Sequence, residues 1–95
     1  MWHHLYVDDP DEAFAFGNRL LQEALQLAAR IEAPAPSVWT RLDRETGGVH
    51  YYFSPPAEAL ARAHGASACA LPSRDDLGSL LFGEQPTAGD AGKKA

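Results

Sequence analysis

The chain has 95 residues, 45% hydrophobic and 22% charged, with thirteen Asp and Glu against eight Lys and Arg for a net charge of −5. That length makes one domain around one core; no apolar run reaches the roughly 20 residues of a membrane helix, no basic segment leads into an apolar one as in a secretory signal, and a lone cysteine, Cys69, excludes an internal disulfide. An acidic chain is poorly suited to polyanions, because nucleic-acid affinity comes mostly from Lys and Arg neutralising phosphates.

Trp2 to Val7 alternates, with Trp2, His4 and Tyr6 on one side and Leu5 and Val7 on the other, the period of a strand. Asp8-Asp9-Pro10-Asp11-Glu12 then reads as a helix start, with Asp9 as cap, Pro10 at the first position and Glu12 completing a capping box. The helix is expected to run to about Glu32, where Pro34 and Pro36 stop it. Its apolar residues form two adjacent rows, Phe16, Leu20, Ala24, Leu27, Ile31 and Phe14, Leu21, Leu25, Ala28, wider than the stripe of a typical surface helix. Some apolar surface should therefore be left over.

Residues 37–54 read as a β-hairpin turning through Asp43 to Gly48. A four-residue loop pairs Leu42 with Val49, Thr40 with Tyr51 and Val38 with Phe53 on the core side. It sets Arg41 against His50 and Trp39 against Tyr52 on the other. Ser54-Pro55-Pro56 is expected to cap a short helix from Ala57 to His64, with Leu60 its one large anchor and Gly65 its stop. Ser67 to Leu71 reads as a short buried strand. Ser73-Arg74-Asp75-Asp76 is a second capping box, predicted to open a helix through Leu77, Leu80, Leu81 and Phe82.

The order is that of an α+β protein: an antiparallel sheet of three to four strands with helices on one face, in the ferredoxin-like βαββαβ order plus a C-terminal helix. If residues 2–7 were not a strand, the alternative is the long helix packed on a three-stranded sheet. Residues 1–83 make the single domain, and 84–95, without a large apolar side chain, are expected to be a disordered tail.

Both tryptophans and two of three tyrosines thus share one sheet face. Four rings bury about 150–250 Å² each when covered, more together than the largest apolar patch of an ordinary monomer, about 300–600 Å². The face calls for a cover: the C-terminal helix, a second copy, or another protein. The leading expectation is a non-enzymatic accessory or regulatory protein that binds a homodimer mate or partner protein there. Trp39 and Tyr52 are the central anchors, Trp2 and Tyr6 extend the patch, and Arg41 and His50 are polar handles.

A small ligand-sensing domain or enzyme with a site near His50 and Cys69 is the competing expectation, with His4 or His64 as further participants. Cys69, set among alanines, reads as a buried and inert thiol. His4 and His50 share the open face while His3 points away, which is short of a zinc site, so no metal and no cofactor are expected. The layout resembles that of RNA recognition motifs, with Gly48 to Phe53 where those carry an aromatic signature, but no basic residue directly precedes the glycine. The abundance of alanine, with arginine the only cation before Lys93, suggests a GC-rich bacterium, and the single cysteine fits the cytoplasm.

Overall fold

The computed structural model of the chain describes residues 1–30 and 35–83. Five strands, β1 (Trp2–Val7), β2 (Val38–Leu42), β3 (Val49–Phe53), β4 (Ser67–Cys69) and β5 (Ser79–Phe82), form one sheet in the order β4-β1-β3-β2-β5, with every neighbouring pair antiparallel. The helices are α1 (Pro10–Ala28), α2 (Glu58–Ala63), which follows a 3-10 turn over Pro55–Ala57, and α3 (Arg74–Leu77). The protein is therefore α+β with a five-stranded antiparallel sheet, not the three to four strands expected. Residues 2–7 being a strand removes the three-stranded alternative.

Period-2 alternation decides which side chains face the helices. Leu5 and Val7 of β1, Val38 of β2 and Tyr51 and Phe53 of β3 meet Leu20 and Ala24 of α1 and Leu60 and Ala61 of α2 in one core. Small residues let the layers close up. A Cβ on Gly17 would stand 3.1 Å from the Tyr51 hydroxyl, which donates a 2.6 Å hydrogen bond to the Ala13 carbonyl. The hairpin register is the one expected, Leu42 with Val49 through Val38 with Phe53. Its turn closes through Asp43 N–H to Gly48 O at 2.9 Å and Gly47 N–H to Asp43 O at 2.8 Å.

Several elements depart from expectation. α1 starts at Pro10 with Asp9 as its cap, Asp9 Oδ2 accepting from Glu12 N–H at 2.9 Å, but Glu12 does not return the bond of the expected capping box, and the helix ends at Ala28, short of the proline stop. Ile31 and Glu32 lie outside the described residues. Ser54 does not cap a helix; its hydroxyl accepts from Ser37 N–H at 2.9 Å and pins the entry to β2. α2 itself begins only at Glu58. β4 stops at Cys69 and is a short edge strand with Ser67 and Ala68 exposed, not a buried one through Leu71.

The largest departure is at the end of the domain. Ser73 forms its capping box with Asp76, yet the helix lasts four residues because Gly78, at φ 74°, turns the chain away. A short apolar run such as Leu80-Leu81-Phe82 suits helix or strand equally by pattern, and the free edge of β2 offers it backbone partners. It becomes β5, in the plane of the sheet. The C-terminal helix, one of the three covers considered for the aromatic face, is therefore not there. The expected tail, 84–95, lies outside the described residues.

Candidate functional site

Register places the ring-bearing side chains in rows across the face opposite α1 and α2. Ser67, His4, Tyr52, Trp39 and Leu80 make one row through all five strands, and Tyr6, His50 and Arg41 make the next. Trp2 is paired with Cys69 on the β4 side. All six residues expected to form the contact do lie on this face, but they are not equally accessible. Trp39, named as a central anchor, is only 7% exposed, so its ring is part of the support. Trp2, Tyr6, Tyr52, Arg41 and His50 are half-buried and retain surface to offer.

A chain of three polar side chains runs through the middle of the face. His50 Nε2 lies 3.1 Å from Asp43 Oδ2, and His50 Nδ1 lies 2.8 Å from His4 Nε2. A carboxylate only accepts, so the proton sits on His50 Nε2. With His50 neutral, its Nδ1 accepts from His4 Nε2–H, and His4 Nδ1 is left as a bare lone pair. The two imidazoles stack with centroids 5.1 Å apart, flanked by Tyr52 on His4 at 4.8 Å and Tyr6 on His50 at 4.6 Å. The Tyr6 hydroxyl is bonded to the Thr46 hydroxyl. Each ring is held by a neighbour on both sides.

Electrostatics favour an uncharged His4. Burial holds the His4 pKa below its ordinary value, and His50 and the Arg41 guanidinium push the same way. Asp43 is held below the usual carboxylate range chiefly by its bond to His50, with the backbone N–H groups of Glu45 and Thr46 adding to it. Arg41 is itself anchored, donating from Nε to the Asp76 carbonyl of α3 at 3.0 Å.

In the sequence Asp43 reads only as a turn former. The same register that pairs Arg41 with His50 puts residue 43 on the diagonal of His50 on the same face, and diagonal neighbours in a sheet reach each other. That signal was present in the sequence.

The expected cysteine site does not assemble. Cys69 and His50 stand on β4 and β3 with β1 between them, and burial raises the Cys69 thiol pKa, which disfavours the nucleophilic thiolate. His64 lies on the helix side, 2.6 Å from Glu23 Oε1 and edge-on to Phe16. Among the described residues no group of three or more His, Cys, Asp or Glu is placed to hold a metal ion. His3 faces the helix side and is buried; its Nδ1 and the Trp39 indole Nε1 have no hydrogen-bond partner among the described residues.

No known family, no curated protein and no solved structure was found to match this chain. Function is therefore argued from the site alone.

Proposed function

We propose that the protein is a non-enzymatic accessory or regulatory subunit that binds a partner protein through the open sheet face. The observation that carries this is the state of the two central strands. β1 and β3 are flanked on both edges, yet Tyr6, His4, Tyr52 and His50 on their outer side are only half-buried. Their rings are fixed by mutual stacking and by the Asp43–His50–His4 chain, so little side-chain freedom is lost on contact. Arg41 and aromatic residues are the types that dominate interface energetics. The net charge of −5 and the engagement of Arg41 by α3 argue against a nucleic acid.

The scaffold reads as a ferredoxin-like unit, β1 to β4 with α1 and α2, to which β5 is added. Support comes from the order β4-β1-β3-β2, in which each helical connection passes over one strand.

The test is purification of the tagged chain from its native cells beside a Trp2→Ala/Tyr6→Ala variant. A stoichiometric partner retained by wild type and lost by the variant supports the proposal; a partner retained equally by both contradicts it. A second reading, acid–base chemistry or ligand sensing at the face, is favoured by one observation, the unprotonated His4 Nδ1 at the end of a chain that begins on a carboxylate.

A further inference from the structure

The most exposed large ring of the domain is not on the sheet face. Phe14 of α1 is 76% exposed, and Leu42, at the end of β2, is 59% exposed although its register turns it toward the helix side. The two stand on the rim of a groove of about 370 Å³ between α1 and the hairpin. Val49, Tyr51 and Leu81 line it, and Pro10 and Gly47 close one end. None of its lining residues carries a charge, and the Tyr51 hydroxyl there is already bonded to the Ala13 carbonyl.

We infer that this groove is the seat of a second copy of the chain, each copy placing its Phe14 ring in the groove of the other about a two-fold axis. Self-complementarity is the first argument. A two-fold contact needs knob and hole on one patch, and Phe14 stands on the rim of the groove it would fill in its twin. Charge is the second. Two copies that each carry −5 repel except where the meeting surfaces are uncharged, and the groove is such a surface, continued along α1 by Asn18, Leu21 and Leu25. Residues 84–95 are no rival occupant, because they include no aromatic or large aliphatic side chain.

Size sets the expected strength. The strip from Pro10 to Leu25 is roughly 22 Å long, so the contact is a small one and a concentration-dependent dimer is expected. The contact is separate from the sheet face and stands or falls independently of the partner proposed there.

Sedimentation equilibrium of the full chain, from about 5 to 500 µM, tests it beside Phe14→Lys, Leu42→Lys and Tyr6→Ala. Both lysines lie at exposed positions, so unchanged circular dichroism is expected to show intact folds. Wild type and Tyr6→Ala should pass from monomer to dimer with concentration, and each lysine variant should weaken dimerisation at least tenfold. A wild type that stays monomeric throughout overturns the inference. So does a dimer that survives both lysines, and one that only Tyr6→Ala disrupts would place the twofold contact on the sheet face instead.

Discussion

His50 accepts from His4 and donates to Asp43, so one imidazole on β3 ties the N-terminal strand to the hairpin turn. The arrangement fixes both tautomers. At pH 7.5, two-bond nitrogen–proton correlation spectra should show His4 and His50 each protonated on Nε2. A His50 protonated on Nδ1 and bare at Nε2 would mean that the chain does not form in solution.

The same pair makes stability depend on pH with a definite sign. His4 has a folded-state pKa below its ordinary value of 6.5, so the unfolded chain binds protons that the folded one resists. Its contribution is present above about 6.5 and is lost as pH falls through the lower folded-state value. Asp43, also depressed, adds a loss at more acid pH, as pH falls below 3.8. Urea midpoints of wild type should drop more between pH 7.5 and 5 than those of His4→Gln. Equal drops would show that His4 is not held neutral by its surroundings.

The hairpin turn has one glycine whose role is spatial. A Cβ on Gly48 would stand 2.4 Å from the Val7 carbonyl oxygen and 2.8 Å from the Asp8 Cα, both backbone. Gly48→Ala should therefore cost about 1–3 kcal/mol, as overpacking does. Gly65 has positive φ but open space around it, so Gly65→Ala should cost only the roughly 1–2 kcal/mol of left-handed backbone. Chemical denaturation of the two variants checks both figures.

The Tyr51 hydroxyl, in the core under α1, supplies a buried hydrogen bond of 2.6 Å to Ala13. Tyr51→Phe should lose about 1 kcal/mol of stability and leave the sheet face unaltered. A loss near zero would mean that the bond is offset by the burial of the hydroxyl.

Much of this was legible in the residues, for local reasons. The hairpin register followed from loop length and alternation, and it alone brought Trp39, Arg41, His50 and Tyr52 to one face. The Asp9 and Ser73 caps followed from their spacing. What could not be read were features settled by distant partners. Leu80-Leu81-Phe82 has no period that separates helix from strand, and only the free edge of β2 and the turn at Gly78 decide it. The Ser54 hydroxyl had a local cap available and took a long-range bond to Ser37 instead. Trp39 looked like a free anchor because alternation gives the face of a ring, not how deeply the neighbouring strands bury it. Asp43 had a sufficient local role in the turn, which concealed its second role toward His50.

The contact role of the sheet face is tested most directly by photo-crosslinking in native cells, with benzoyl-phenylalanine placed at Trp2, at Tyr6 and, as control, at the exposed Ala59 of α2 on the opposite side. Adducts to one discrete protein from both Trp2 and Tyr6, and none from Ala59, are the predicted result. Identical patterns from all three positions, or no adduct from the face, would contradict it.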